Sequence, residues 1–386
     1  MTAGLILRNA KLHSAESQLT DVFVEHGLIR DFIPAGEKTE FLDYPSHDLD
    51  GKYLYPGIFD CHLHGSIGVD FNYINPEKLE HLSLYLASRG VTSFFASIVS
   101  DSEEKIKKLC QFYAKAAEGK LGGARLAGIH LEGPWISPQQ SGAIARDYLS
   151  LPQIEMLDRF QEATNGWIKY ITIAPELDGA LELIEKAASE NIVVGLGHST
   201  ADYDVTREAI KRGARLATHL GNAMPQMHQR RPGIVGAILD SDLHVELIFD
   251  GIHLHPAILR LIAKTIKPDR IIGISDATMA RGLRDGVYSL GISEIEVKGG
   301  VSFLKNSDVL AGSTLDSIQA IENASEILDS SIKSVYPFFS RNPARLFSQN
   351  SGEICVGMIA DLLSFNEDFD LCDTWVSGKH VYSAVL

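Results

Sequence analysis

The chain has 386 residues, of which 45% are hydrophobic and 22% are charged, and its formal net charge is −15. This composition is typical of a globular protein and excludes disordered, collagen-like and coiled-coil chains. An acidic surface disfavours nucleic acid and membranes as partners, and it means that an anionic substrate needs a local basic pocket.

The apolar segments and the cysteines indicate the compartment. The longest apolar segments, such as Val91–Val99, contain Thr and Ser and are shorter than the roughly 20 residues of a membrane span. The first residues lack the basic start, long apolar stretch and cleavage site of a secretion signal. Four widely spaced cysteines without a CxxC pair suit a reducing compartment. We therefore expect a cytoplasmic protein.

The first fifty residues predict strands and turns, because apolar residues such as Leu5, Leu7, Val22 and Val24 alternate with other residues. From residue 53 onwards, eight apolar segments alternate with amphipathic segments of helical period. The apolar segments are Tyr53–Asp60, Gly90–Val99, Arg125–Leu131, Ile168–Ile173, Asn191–Leu196, Arg215–His219, His244–Asp250 and Arg270–Ser275.

This alternation predicts βα units with parallel strands, and eight such units close a TIM barrel. An open doubly wound sheet is the structural alternative, although no GxGxxG motif supports a dinucleotide fold. After Asp276, Tyr288–Leu304 predicts a strand pair, and Glu353–Val356 begins a strand-rich tail. We expect the two β-rich ends, residues 1–52 and 350–386, to form a small β-sandwich domain beside a (β/α)8 barrel of residues 53–349.

Six of the eight apolar segments end in residue types that bind metals or transfer protons. In a TIM barrel the carboxyl ends of the strands carry the active site. These side chains would therefore converge, although they are spread over more than 200 positions. The residues are Asp60, His62, His64, His130, Glu132, His198, His219, Asp250, His253 and Asp276.

The residue types favour a metal site. His62 and His64 are two apart and point to the same side of a strand, which suits a shared metal. Glu132, His198 and His219 form the set of two histidines and one carboxylate typical of a catalytic zinc site. Polar strand ends and ion pairs inside the barrel remain the alternatives. Asp276 would be a ligand, a base or a helix cap.

The motifs themselves resemble a known family. The segment PGIFDCHLHG (56–65) is similar to the PGxxDxHxHG signature of the amidohydrolase superfamily. The later motifs resemble those of the N-acetylglucosamine-6-phosphate deacetylases, and the resemblance runs through essentially the whole chain. They are HLEGPW (130–135), GHS (197–199), THLGNAMPQM (218–227), DGIHLHP (250–256), SDAT (275–278) and LAGS (310–313).

The resemblance implies a metal-dependent hydrolase of amino-sugar catabolism. It implies a divalent metal, with zinc expected, held by Glu132, His198 and His219, and a second metal at His62 and His64 is open. Asp276 would be the catalytic acid and base, and the family suggests a homodimer. The residues implied to bind the amino-sugar phosphate are Ala143, Asn222, Ala223, Arg230, His253, Leu310, Ala311 and Gly312.

Two positions depart from the family pattern. Ile144 stands where the family usually has a His that touches the amide carbonyl, and Gly221 stands where it usually has an aromatic residue. The sugar epimer and the acyl group are therefore open, and N-acetylgalactosamine 6-phosphate is an alternative substrate.

Two other classes of function are alternatives. Another amidohydrolase, such as a cyclic-amide hydrolase, commonly carries a bridging carboxylated Lys on strand four, whereas Lys169 lies near the start of that segment here. A non-catalytic homologue usually loses ligands, and this chain keeps each expected one.

Overall fold

The structure is a computed structural model that describes residues 4–12, 18–37 and 44–384. Its centre is a sheet of eight parallel strands, each paired with its neighbours in chain order. We number these barrel strands one to eight. They are Ile58–Asp60, Val91–Val99, Arg125–Glu132, Ile168–Ile173, Val193–Leu196, Leu216–Ala217, His244–Ile248 and Ile271–Ile274.

Contacts just beyond the strands bring the first and the last of them together. The backbone N–H of Asp276 donates to the carbonyl of His62 at 2.9 Å, and the Ser275 hydroxyl donates to the Asp60 carboxylate at 2.6 Å. The predicted TIM-like barrel is thereby confirmed in preference to an open sheet.

Local sequence explains these elements. Every residue of Val91–Val99 is buried, since a barrel strand has the interior on one face and helices on the other. Several helices begin at a capping side chain, as at Asn75, Ser102 and Asp202. The helices are Pro76–Ser88, Glu103–Glu118, Ile154–Thr164, Ala180–Ser189, Tyr203–Lys211, Gly233–Leu239, Pro256–Thr265, Ser317–Ile327, Ile332–Val335 and Arg341–Leu346. Short 3-10 helices cover Phe71–Tyr73, Pro138–Gln140, Arg146–Tyr148, Pro268–Arg270 and Tyr336–Phe339.

Strands from both ends of the chain form a second sheet, which we call the terminal sheet. The predicted pairing of the two β-rich ends is thereby confirmed, and their strands are joined in one hydrogen-bonded sheet of eight. The strands are Leu5–Leu12, Leu19–Glu25, Leu28–Pro34, Ser46–Asp48, Tyr53–Pro56, Leu362–Phe365, Leu371–Val376 and Lys379–Ser383.

The chain passes from the terminal sheet to the barrel at Gly57. Tyr53–Pro56 pairs with Leu362–Phe365 of the terminal sheet, whereas Ile58–Asp60 pairs with barrel strand two. A side chain at Gly57 would collide with Thr92, so the close approach of the two sheets requires glycine. The apolar segment Tyr53–Asp60 therefore contributes to both sheets, and the expected boundary at residue 53 falls four residues before this crossing.

Two expected elements differ from the structure. The segment predicted as a strand pair contains three antiparallel strands, Gly286–Leu290, Ser293–Lys298 and Val301–Leu304, because Gly291 adds a second reversal. The prediction of a strand at 353–356 is wrong. The N–H of Met358 donates to the carbonyl of Cys355, so the chain forms a turn there. A further short pair, Gly65–Ser66 with Val69–Asp70, follows barrel strand one.

Among the helices that the structure describes, none combines the length and the apolar character that crossing a bilayer requires.

Candidate metal centre and active site

Five side chains from four barrel strands meet at one end of the barrel, which we call the barrel mouth. Glu132 is the last residue of strand three, and the four histidines follow strands one, five and six by two to four residues. None of the five is more than 5% exposed. We call this group the histidine–glutamate cluster: His62, His64, Glu132, His198 and His219.

The backbone turns sharply where these residues follow their strands. His198, His219 and Asp276 have φ values of 46°, 26° and 49°, in the left-handed region that non-glycine residues rarely adopt. Each such residue costs about 1–3 kcal/mol, and strain of this kind concentrates at functional sites. The conformation turns each side chain into the barrel mouth.

Glu132 lies at the centre of the cluster. Its Oε1 atom is 3.0 Å from Nε2 of His219 and 3.1 Å from Nε2 of His198, and those two nitrogens are 3.1 Å apart. Oε2 is 3.1 Å from Nε2 of His64, and Oε1 is 3.4 Å from Nε2 of His62. The cluster thus contains two overlapping groups of donor atoms, each within 4.8 Å, that share Glu132.

The remaining ring nitrogens explain why three of the four Nε2 atoms, those of His62, His64 and His198, suit a cation. Nδ1 of His62 faces the Glu246 carboxylate at 3.0 Å, that of His64 the Ser97 carbonyl at 3.1 Å, and that of His198 the Gln140 carbonyl at 2.8 Å. Carboxylate and carbonyl oxygens only accept, so each Nδ1 carries the proton and each Nε2 offers its lone pair.

The charge of Glu132 also fits a metal. Burial raises the pKa of its carboxyl, but the neighbouring imidazoles, first His62 and His64 and then His198 and His219, outweigh this and hold the pKa well below its ordinary value. An ionised carboxylate among imidazoles is a donor set that zinc and similar divalent cations prefer. The residues present therefore fit a divalent cation, at one or two positions.

Asp276 borders the cluster. Its Oδ1 atom is 3.2 Å from Nε2 of His64 and 3.6 Å from Nε2 of His62. Burial raises the pKa of Asp276, but the hydrogen bond to His64 and the nearby charges outweigh this, so the pKa lies below its ordinary value. Asp276 is therefore ionised at neutral pH and able to accept a proton.

A cavity of about 450 Å³ opens above the cluster. Its lining includes Asp276 and most of the residues predicted to bind the sugar phosphate. Gly312 approaches Asp276 closely, and a Cβ there would lie 2.8 Å from the Asp276 carbonyl. The predicted residues that line it are Ala143, Asn222, Ala223, His253, Leu310 and Gly312.

Two predicted residues lie elsewhere. Ala311 is buried in a small apolar group behind the lining. Arg230 is exposed on the turn between His228 and Arg231, outside the cavity lining of this chain.

The two positions that depart from the family pattern have different surroundings. Ile144 lines the cavity and packs in an apolar group with Ile136 and Leu290. Gly221 has φ +86°, and a Cβ there would lie 3.0 Å from Leu254, so glycine fits this backbone without strain.

Two residues near the cluster were not predicted from the sequence. Arg146 lines the cavity and donates to the Ser141 hydroxyl at 3.1 Å, but it lies on a loop without a motif. Glu246 contacts His62 from the middle of strand seven. A carboxylate among the apolar residues 245–249 is the sequence signal that indicates it.

His130 does not reach the cluster by a hydrogen bond. Its nitrogens pair with Ser97 and Thr172, both at 2.9 Å, and its ring stacks on Tyr170 with centroids 3.7 Å apart. Through Ser97, whose carbonyl faces His64, it supports the cluster indirectly.

Comparison with known proteins agrees with this geometry. Residues 53–381 match the amidohydrolase family. The chain is 35% identical to the N-acetylglucosamine-6-phosphate deacetylase of Bacillus subtilis, over 84% of each chain. It is 33% identical to the N-acetylgalactosamine-6-phosphate deacetylase of Escherichia coli O157:H7, over 86% of this chain and 88% of that protein. The crystal structure of the N-acetylglucosamine-6-phosphate deacetylase from Pasteurella multocida superposes with a TM-score of 0.90 at 29% identity, covering 99% of this chain and 100% of that one. The chain therefore belongs to the amidohydrolase family and is related over nearly its whole length to the sugar-phosphate deacetylases within it.

Proposed function

We propose that this protein is a metal-dependent deacetylase that hydrolyses N-acetylglucosamine 6-phosphate to glucosamine 6-phosphate and acetate, a step of amino-sugar catabolism. The observation that carries the proposal is the Glu132 carboxylate, ringed by four imidazole Nε2 atoms and bordered by Asp276 at the floor of a cavity. Relatives of both sugar epimers support the reaction class.

The reaction requires catalysis at the carbonyl carbon and at the amide nitrogen, because an acetamide carbonyl is a poor electrophile and an amine is a poor leaving group. A divalent cation, with zinc proposed, would be held by Glu132, His198 and His219, with His62 and His64 as the second position. When bound, it supplies Lewis acidity, which lowers the pKa of water and polarises a carbonyl.

Asp276 would move the proton. As an ionised carboxylate beside the cluster, it takes a proton from the attacking water on Oδ1 and then delivers it to the nitrogen of the leaving amine. The C–N bond breaks as the nitrogen is protonated, the amine leaves as a neutral group, and the acetic acid formed ionises to acetate. No serine or cysteine nucleophile is needed for this route.

Positive charge in the cavity would hold the phosphate. Burial lowers the pKa of His253, but the Asp250 carboxylate, 2.6 Å from Nδ1, outweighs this and raises the pKa above its ordinary value. We propose that His253 and the Arg230 of a neighbouring subunit in a homodimer bind the phosphate. The planar guanidinium of Arg230 suits two phosphate oxygens at once.

Deacetylation of N-acetylgalactosamine 6-phosphate is the second candidate. Gly221 stands where the family pattern has an aromatic residue, and Ile144, which lines the cavity, stands where that pattern has a His near the acetyl group. Both changes bear on the sugar ring and the acyl group rather than on the metal ligands. We also propose a cytoplasmic location, which is supported by four cysteines that are all free thiols.

An amine-release assay tests the proposal on four sugars: N-acetylglucosamine and N-acetylgalactosamine, each with and without the 6-phosphate. We expect kcat/KM to be highest for N-acetylglucosamine 6-phosphate. Loss of the phosphate should lower it roughly tenfold or more, since a charged hydrogen bond contributes about 1.5–3 kcal/mol. A preference for the galactose epimer would favour the second candidate. Absence of amine release from all four sugars would refute deacetylation.

A further inference from the structure

Glu246 is a carboxylate in the middle of barrel strand seven, among apolar residues. Its side chain is 0% exposed, and both neighbours, Val245 and Leu247, are buried as well. Burying a carboxylate without compensation is strongly unfavourable, so its partners indicate why the residue is tolerated there.

Both partners of Glu246 belong to the histidine–glutamate cluster. Its Oε2 atom accepts from Nδ1 of His62 at 3.0 Å and from the backbone N–H of His219 at 3.1 Å. Its Oε1 atom has no hydrogen-bond partner in the described part of the chain. Within the described ranges, no Lys or Arg forms an ion pair with it, and His62 is its ion-pair partner.

These two contacts reach both groups of donor atoms. His62 belongs to the group with His64 and Glu132, and His219 belongs to the group with His198 and Glu132. Glu132 joins the groups on the cavity side, and Glu246 joins them from within the barrel. A single oxygen atom thus links the two halves of the cluster.

We infer that Glu246 is a positioning residue that holds both halves of the cluster in the geometry and tautomer needed to bind metal. By accepting a hydrogen bond from Nδ1 of His62, it fixes the proton on Nδ1 and leaves the lone pair of Nε2 free to bind a metal. By accepting from the His219 N–H, it holds a backbone whose φ of 26° is otherwise unfavourable. The inference rests on the proposed metal site, and Glu246 is not among the residues that line the cavity.

A metal titration of the purified protein tests this directly. Metal-free wild type and Glu246→Gln are titrated with Co²⁺ against a competing chelator, and the visible absorption of bound Co²⁺ reports the ligand geometry. Gln has nearly the same volume, but its one carbonyl oxygen replaces a charged acceptor. We expect Co²⁺ affinity to fall about 10–100-fold, with a changed spectrum, as for other residues that orient metal ligands.

A control and a second variant separate positioning from bulk stability. Asp361→Asn removes another buried carboxylate, one that pairs with Arg125 and the Ser377 N–H far from the cluster, and its Co²⁺ affinity should equal that of the wild type. Glu246→Asp keeps the charge and should recover part of the affinity. It also replaces Glu246→Gln if the latter fails to fold.

Wild-type affinity and spectrum in Glu246→Gln would overturn the inference, and so would a wild type that binds no Co²⁺. Because the titration uses no substrate, this result is independent of the proposed function. A wild type that binds Co²⁺ with an affinity that depends on Glu246, but releases no amine, would refute the deacetylase proposal alone.

Discussion

The barrel mouth and the terminal sheet both bury polar side chains, but they use them in opposite ways. In the terminal sheet, Asp373 is paired with the Ser364 hydroxyl at 2.8 Å and with His380 at 3.0 Å, so its charge is compensated locally. At the barrel mouth, four imidazoles converge on the one carboxylate of Glu132.

The backbones differ in where left-handed residues stand. In the terminal sheet, left-handed residues such as Asn9 and His26 stand at a bulge and at a turn between paired strands. The barrel mouth holds His198, His219 and Asp276 in left-handed conformations. The comparison teaches that buried polar side chains pair with one another where they support stability. Where they support chemistry, they converge on one point.

The largest effect should come from the proton carrier at the mouth. Asp276→Asn keeps the size of the side chain but cannot take up a proton, so kcat should fall about 10²–10⁴-fold while KM changes little. Steady-state amine release together with metal analysis checks this, and the metal content should stay at the wild-type level. A fall in kcat of less than tenfold would remove Asp276 from the role of acid and base.

A substitution in the terminal sheet should lower the stability of the protein and leave its turnover unchanged. Trp375 is fully buried, and Trp375→Ala should lower the free energy of unfolding by about 3–5 kcal/mol. Urea unfolding measures that loss, and amine release per folded molecule should stay at the wild-type value. A large drop in kcat of the folded variant would show that the two regions are coupled.

The smallest effect concerns the substrate phosphate. Arg230→Ala should raise KM for the 6-phosphorylated sugar by roughly tenfold, because a charged hydrogen bond is lost, and should leave the plain sugar unaffected. Arg231→Ala is the matched control, since Arg231 is the adjacent exposed cation on the same turn. Equal KM changes in the two variants, or equal changes for both sugars, would rule out a specific role for Arg230.

The sequence predicted the barrel and the cluster because both depend on local signals. Apolar segments of strand length are visible one by one, and residues such as Glu132 and His198 stand directly at their ends. The change of sheet at Gly57 was not visible, because Tyr53–Pro56 and Ile58–Asp60 are equally apolar and only their pairing partners distinguish them.

Residues whose role depends on distant partners were harder to predict. Glu246 lies in the middle of a strand, and its role depends on a contact with His62, which is 184 positions away in the sequence. Arg146 reaches the cavity from a loop whose course the local sequence does not specify. Arg230 lies outside the cavity lining of the single chain, so its predicted role depends on a second copy.

Removal and return of the metal tests the central claim most directly. Chelated, metal-free wild type and Glu132→Gln are titrated with Zn²⁺, and bound metal and amine release from N-acetylglucosamine 6-phosphate are measured at each step. We expect the metal-free protein to be inactive and its activity to rise with one or two Zn²⁺ per chain. Glu132→Gln should hold little metal and show no turnover. Full turnover by the metal-free protein, or full metal content with wild-type turnover in Glu132→Gln, would contradict the account.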